Sequence, residues 1–185
     1  MSSSKPSALR GLIVGVTAGI AATIVMDQFQ KLVAAGHDLV DKKIKQAEGE
    51  SAWAIAHEHA EQHYQQQHAE ASTEKVARKL AEAVGTTLPP DKRKQAGQAV
   101  HYAFGTLMGA FYGVAAELVP ETTTGGGTAF GTLLFLGADE VAVPAFKLAP
   151  PPKLSQAPDH LQYWAAHIVY GGSLELFRSL LRRAL

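Results

Sequence analysis

The segment "GTLLFLGADEVAVPAF", residues 131–146, places two adjacent carboxylates, Asp139 and Glu140, in an otherwise apolar run. An ionisable side chain in a membrane-spanning helix costs roughly 2.5–3.5 kcal/mol, so it usually faces other helices and has a partner or a function. A buried carboxylate takes up a proton more readily than an exposed one, and histidine titrates near neutral pH. Together, residues of these two types could pass protons or hold a cation.

Ionisable residues also lie in three other apolar segments. Helices that cross in alternate directions would bring Asp27, His101 and His167 to the same side of a bundle as the acid pair. We therefore predict a buried proton or cation site and a second polar layer near the opposite face. The site comprises Asp27, His101, Asp139, Glu140 and His167, and the second layer comprises Glu117 and Glu175. The alternative role for these groups is interhelical hydrogen bonding that fixes the register of the helices.

The four apolar segments are each close to the roughly 20 residues that a helix needs to cross a bilayer. The sequence thus predicts an all-α integral membrane protein, a four-helix bundle that forms a single domain, residues 1–185, in the lipid bilayer. The predicted spans are residues 11–27, 99–119, 128–146 and 161–177, with a polar helical insert, residues 28–98, between spans 1 and 2. Pro144 follows Glu140 by four residues and removes a helix amide, which predicts a kink beside the acid pair.

Glycines recur at intervals of four in these segments and would let helix backbones approach closely. The predicted packing positions are Gly15, Gly19, Gly105, Gly109, Gly113, Gly127 and Gly131. They favour helix association within one chain or between copies of it, so a homo-oligomer is one prediction. The same glycines would also suit a tightly packed soluble protein, and a soluble all-helical binding protein remains an alternative.

The polar insert contains the His-rich stretch "HEHAEQHYQQQH". On a helix His59 and His63 lie one turn apart and, with His57, are candidate ligands for Zn²⁺, Ni²⁺ or Cu²⁺. The alternative is a solvated polar helix face. Residues 48–84 are also the candidate contact region for a protein partner.

Composition excludes several classes of function. The 17 basic and 17 acidic residues balance, so there is no basic field to attract nucleic acid, and we predict no nucleic-acid partner. The chain has no cysteine, which excludes disulfides, thiolate metal sites and cysteine nucleophiles. It also lacks a phosphate-binding glycine loop and a serine-nucleophile motif. The sequence therefore predicts no enzymatic activity and no cofactor.

Four blocks carry a resemblance to a known family: "GLIVGVTAGIAA", "GQAVHYAFGTLMGAFYGVAAELVP", a Gly-rich third block that ends before "APPP", and "AAHIVYGGSLELFRSLLRR". Their order resembles the YagU-like family of small bacterial inner-membrane proteins. His167, Glu175 and Arg178 are similar to the family's closing motif of His followed by Glu-x-x-Arg, whereas the polar insert has no matching part.

This resemblance implies a multi-pass protein of the bacterial inner membrane with a link to acid resistance and no established chemistry. Combined with the buried polar groups, it favours a protein that contributes to acid or envelope-stress tolerance through a proton or cation site. The competing interpretation is a structural or scaffolding membrane protein whose His-rich insert binds a partner or a metal.

Overall fold

The computed structural model describes residues 7–47, 70–149 and 157–184, and within these ranges all regular secondary structure is helical. The helices are α1 (Ala8–Ala47), α2 (Ser72–Ala83), α3 (Pro90–Leu118), α4 (Thr128–Ala145) and α5 (Ala157–Ala184). A short 3₁₀ turn, Pro120–Thr123, and a glycine turn join α3 to α4. The all-helical fold predicted from the sequence is confirmed.

Two of the helices, Ala8–Val40 within α1 and Thr128–Ala145, are long and apolar enough to cross a membrane. The predicted span 161–177 lies inside α5, and the span 99–119 lies in α3 except for its last residue, because α3 ends at Leu118. Both spans contain histidine, glutamate, tyrosine and several glycines, which lower their mean hydropathy. Membrane placement by four spans therefore stays a prediction.

The first helix is longer than its predicted span. The apolar segment ends at Asp27, yet α1 continues to Ala47 and so includes the first part of the polar insert. Residues 28–47 are rich in Ala, Lys, Leu and Gln, contain no proline, and have a single glycine, so nothing in them stops a helix. The insert therefore begins as a direct extension of the bundle.

Four helices pack lengthwise. Helix α1 packs against both α3 and α5, and α4 packs against α5. Contacts between Gly11 and Gly113 and between Gly19 and Gly105 show that α1 and α3 run antiparallel. The pairs Gly127 with Gly171 and Gly131 with His167 show the same for α4 and α5. The core is built from small and aromatic residues, namely Ala18, Ala22, Met26, Tyr112, Ala116, Ala166, Tyr170 and Leu174.

Helix α2 lies beside the start of α3. Its Ala77 is buried, and its Glu74 contacts Gly97 of α3. The connection between them follows the predicted break, because Gly85 adopts a left-handed conformation and Pro90 occupies the first turn of α3, where its missing amide is not needed.

Helix α4 changes its hydrogen bonding in the middle. It is α-helical over Thr128–Leu134, π-helical over Phe135–Ala142, and α-helical again over Val143–Ala145. In the π segment the Val143 amide donates to the Ala138 carbonyl, five residues back. Pro144 cannot donate to the Glu140 carbonyl, so wider pairing just before the proline accommodates the missing bond. Where the sequence predicts a kink, the structure has this π-helical stretch.

Candidate functional site

Two groups of polar side chains lie inside the bundle, near its opposite ends. We call the group near the insert the histidine layer; it comprises Asp27, His101, Asp139, Glu140, His160 and His167. The other, the arginine layer, comprises Tyr112, Glu117, Glu175, Arg178 and Arg182. The predicted site residues divide between the two layers as the alternating helix directions require.

Each carboxylate of the acid pair faces a different histidine of α5. Glu140 Oε1 is hydrogen-bonded to His160 Nδ1 at 2.5 Å, and Asp139 Oδ2 lies 3.8 Å from His167 Nδ1. The two histidines are seven residues apart, or roughly 10 Å along a helix. Both acids lie in the π segment, whose wider turn changes the directions of their side chains from those of a regular α-helix. Adjacent residues on α4 therefore reach positions two turns apart on α5.

The ring of His167 has a defined orientation. Its Nδ1 lies 2.9 Å from the Tyr163 carbonyl, which can only accept a hydrogen bond, so Nδ1 carries a hydrogen and donates. In the neutral ring Nε2 is then the free acceptor. The Phe135 ring packs against the imidazole with centroids 5.7 Å apart. His167 is buried, and its ring is held in this orientation by the Tyr163 carbonyl and the Phe135 ring.

His101 and Asp27 extend the histidine layer to α3 and α1. Asp27 accepts hydrogen bonds from Lys31 at 2.8 Å and from Gln98 at 3.5 Å. His101 lies within electrostatic range of both Asp27 and His167. Its Nε2 is buried and has no hydrogen-bond partner among the described residues. The structure thus brings the five predicted members of this layer into one connected group and adds His160.

The arginine layer is bonded throughout. Arg182 uses Nε and Nη2 to bind both oxygens of Glu117, whose side chain is only 2% exposed. Arg178 binds both oxygens of Glu175 at 2.6 and 2.8 Å, and the Tyr112 hydroxyl donates to the same carboxylate at 2.9 Å. Each predicted acid of this layer has an arginine partner on α5, so both charges are compensated.

The predicted packing glycines lie at the closest helix contacts. A Cβ added to Gly15, Gly109 or Gly113 would overlap the backbone of the opposite helix. Gly19 and Gly105 are also in this contact, where Gly105 touches the Thr23 hydroxyl. Gly127 and Gly131 meet the α5 backbone at Gly171 and His167. Backbone contact at these glycines therefore sets the spacing of α1 from α3 and of α4 from α5.

Sequence reasoning missed several members of these layers. The predicted site did not include His160, Tyr112 or Arg182. His160 lies at the start of the fourth apolar segment, where the alternating helix directions also place it on the insert side, although the predicted proton or cation site left it out. Arg182 lies beyond the predicted span, and only the fold shows that its side chain reaches back to Glu117.

The structure constrains metal binding in part. Among the described residues no three His, Asp or Glu side chains are arranged to hold a metal ion. His57, His59 and His63 lie outside the described residues, as does the first part of the predicted partner region, residues 48–69. Only the end of that region, α2, is described.

Outside the bundle, a salt bridge spans the length of α2. Arg78 Nε donates to Glu70 at 3.1 Å, and Arg78 Nη1 donates to Glu82 at 2.9 Å. Hydrogen bonding to Arg78 lowers the pKa of Glu70, and hydrogen bonding to Glu70 raises the pKa of Arg78. Arg78 therefore links Glu70, just before α2, to the last turn of that helix.

Comparison with known proteins supports a broad assignment. The fold and polar layers define an all-helical protein with a buried ionisable interior. The model of a family described as a protein of unknown function (DUF1440) matches residues 89–176. That stretch contains α3, α4 and most of α5, with every histidine-layer residue except Asp27. No curated protein and no solved structure matches the chain. The narrower resemblance to YagU-like proteins stays a prediction.

Proposed function

We propose that this chain is an integral protein of the bacterial inner membrane, with spans formed by α1, α3, α4 and α5. In this proposal the histidine layer accepts and passes protons at the insert side, and so contributes to tolerance of acid or envelope stress. The observation that carries the proposal is the distribution of side chains, with large apolar groups outside and ionisable groups inside.

The outer surface supports membrane placement. Leu107, Phe111 and Leu133 are 61%, 65% and 68% exposed, although they lie in the middle parts of their helices. Soluble monomers rarely expose apolar patches beyond a few hundred Å². Lipid would cover such a surface without cost, whereas in water it would promote aggregation. The interior, by contrast, holds glycines, tyrosine hydroxyls and charged pairs, as expected where lipid surrounds a bundle.

The partners of the acids support proton handling. Asp139 and Glu140 face the imidazoles of His167 and His160, and an imidazole can both donate and accept a proton. The free acceptor on His167 and the unpartnered Nε2 of His101 add two proton-accepting atoms to the group. Neighbouring groups of this kind exchange protons when each differs little from the next in proton affinity. The series of side chains from Asp27 to Glu140 therefore includes a proton acceptor on each of the four long helices.

Two experiments test this proposal in sequence. Alkaline carbonate extraction of membranes from expressing cells should leave the protein in the pellet; release into the supernatant would instead favour the soluble binding protein. In cells shown to retain it, Asp139→Asn combined with Glu140→Gln should lower acid survival to the level of a deletion strain at unchanged protein abundance. Glu121→Gln, an exposed acid in the turn after α3, is the matched control and should behave as wild type.

A structural role is the second candidate, and the arginine layer favours it. Its acids are fully paired, and the glycine contacts hold the helices at fixed spacing. A protein that only scaffolds a partner would tolerate the Asp139 and Glu140 substitutions but would lose partner binding on deletion of residues 48–84. A relay would show the reverse pattern, so the two variants distinguish the functions.

A further inference from the structure

Helix α2 bridges α3 and α4 at the insert end of the bundle. Ala77 and Glu74 pack on α3. Lys75 and Lys79 lie one turn apart on another face of α2 and reach the end of α4. The polar insert therefore contacts the helix that carries the acid pair as well as the helix that follows the insert in the chain.

The lysines bind backbone oxygens at the end of α4. Lys75 Nζ donates to the Leu148 carbonyl at 2.7 Å, and Lys79 Nζ donates to the Phe146 carbonyl at 3.1 Å. The last carbonyls of a helix have no partner within the helix and carry partial negative charge, so lysine is well suited to them. Both bonds connect positions more than 60 residues apart, so they join separate parts of the fold.

The turn after α4 leaves these two carbonyls to the lysines. The amide of Lys147, which adopts φ 56°, donates to the Pro144 carbonyl, and the Leu148 amide donates to the Val143 carbonyl. This pair of bonds is a Schellman motif, which ends a helix and satisfies two of its last carbonyls. The Phe146 and Leu148 carbonyls lie outside the motif, and α2 supplies their donors.

The two halves of α4 are held in different ways. In the first half, Gly127 and Gly131 are in close backbone contact with α5. In the second half, a Cβ added to Gly137 meets none of the described atoms within 4 Å, and Val141 is exposed. There α4 is held by the polar contacts of the acid pair with α5 and by the two lysine bonds from α2.

The second half of α4 contains the features at which helices bend. The π segment covers Phe135–Ala142, and Pro144 has no amide to donate within the helix. Sharp bends in helices occur at prolines and at π-helical turns. The end of α4 could therefore move about the π segment while the glycine contacts of the first half stay in place.

We propose that α2 is a latch, in which Lys75 and Lys79 hold the second half of α4 against the bundle. Displacement of α2 would let this half bend outward at the π segment and admit water to the histidine layer. The latch thus governs access to the layer, whereas the groups of the layer carry the protons. That regulatory role rests on the proposed function. Because α2 lies within the predicted partner region, residues 48–84, a protein bound there would control the access.

The latch bonds are removed in the variant Lys75→Met combined with Lys79→Met, which keeps unbranched side chains at both positions. Lys92→Met combined with Lys94→Met is the matched control, because it makes the same change in charge at exposed positions near the start of α3. Since the chain has no cysteine, spin labels attach only to thiols that are introduced.

Two pairs of spin labels compare the halves of α4. Val141→Cys with Ala103→Cys joins the second half of α4 to α3 near the histidine layer. Leu133→Cys with Leu107→Cys joins the first half to α3 and is the reference pair. All four positions are exposed. Pulsed electron spin resonance of the full chain in detergent gives a distance distribution for each pair.

In the latch variant we expect a longer and broader distance distribution for the 141–103 pair, with the reference pair unchanged. Both pairs should be unchanged in the control variant. An unchanged 141–103 distance in the latch variant would overturn the latch and leave the proposed function intact, because proton transfer within the layer does not require α4 to bend. Equal changes in both pairs would also overturn it, since α4 would then move as one body. The acid-survival test uses chains with an intact latch, so it decides the proposed function separately.

Discussion

The two polar layers contain the same acidic groups but differ in their partners. In the arginine layer each carboxylate binds a guanidinium, which stays charged at every physiological pH. In the histidine layer Asp139 and Glu140 face imidazoles, which have a neutral and a charged form. One layer therefore has partners of fixed charge, whereas the partners in the other layer have two protonation states. The same type of buried acid occurs in both layers, and only the chemistry of its partner differs.

The position of the layers makes this contrast informative. On α3, Gly109 lies eight residues from His101 and eight from Glu117, so one helix contact lies midway between the layers. Here α1 and α3 touch through backbone atoms. Changes that disrupt this contact should affect both layers together, whereas changes in one layer should leave the other intact.

The largest effect is expected from Gly109→Leu. Any side chain at this position overlaps Gly19 Cα, so the helices must separate, and we expect a loss of about 3 kcal/mol or more in unfolding free energy. Neither polar layer could then form, so the difference between them would be lost. Thermal unfolding of purified protein in detergent provides the measurement. Gly137→Leu is the control, since a Cβ at Gly137 meets no atom within 4 Å, and equal destabilisation by both variants would contradict the packing account.

Arg182→Met should have the next largest effect. It leaves the Glu117 carboxylate buried without its guanidinium, a change that costs roughly 3 kcal/mol when a buried pair is broken. Thermal unfolding should shift to lower temperature, and adding Glu117→Gln to the Arg182→Met variant should restore much of the lost unfolding free energy. Arg183→Met, at the adjacent exposed position, is the control and should unfold like wild type. Absence of rescue in the double variant would mean that the pair is not the cause.

The histidine layer should respond differently. We expect His160→Gln with His167→Gln to lower unfolding free energy by about 2 kcal/mol, because each substitution loses one hydrogen bond and neither removes a permanent cation. Proton uptake by the purified protein on a pH jump from about 8 to about 5, followed with an indicator dye, should fall in this variant. The Arg182→Met, Glu117→Gln protein should keep its uptake. Equal uptake by both would remove the distinction between the layers.

The smallest effect is expected at the partly exposed ion pair between Arg78 and Glu70, outside the bundle. The Arg78 guanidinium holds the pKa of Glu70 below its usual range. A lowered folded-state pKa means that the pair stabilises α2 above the unfolded-state value of about 4.3, and that this contribution is lost as pH falls through the lowered value. Because both side chains are partly exposed, salt should weaken this contribution further. Helicity of wild type and Glu70→Gln should differ only slightly above about pH 4, and this difference should vanish as pH falls further; a large difference above about pH 4 would contradict the exposure argument.

Much of the framework could be predicted from local pattern. Apolar segment lengths predicted the helices, and Gly85 with Pro89 and Pro90 predicted the break before α3. The extension of α1 to Ala47 was not predicted, because the apolar segment was taken to end the helix although helix-forming residues continue beyond it. The π segment was also missed: Pro144 predicts that a hydrogen bond is lost, but whether the chain bends or widens depends on packing against α5.

The sequence alone determined which side chains would be costly to bury and at what depth along each helix they would lie, because both follow from residue type and a fixed rise per residue. Only the tertiary structure decided the partners: Arg182 for Glu117, His160 for Glu140, and Lys75 and Lys79 for the end of α4. Such pairings join residues 20 to 73 positions apart in the chain, and they depend on the rotation and spacing that backbone contact at the glycines imposes. Local pattern carries no information about that rotation.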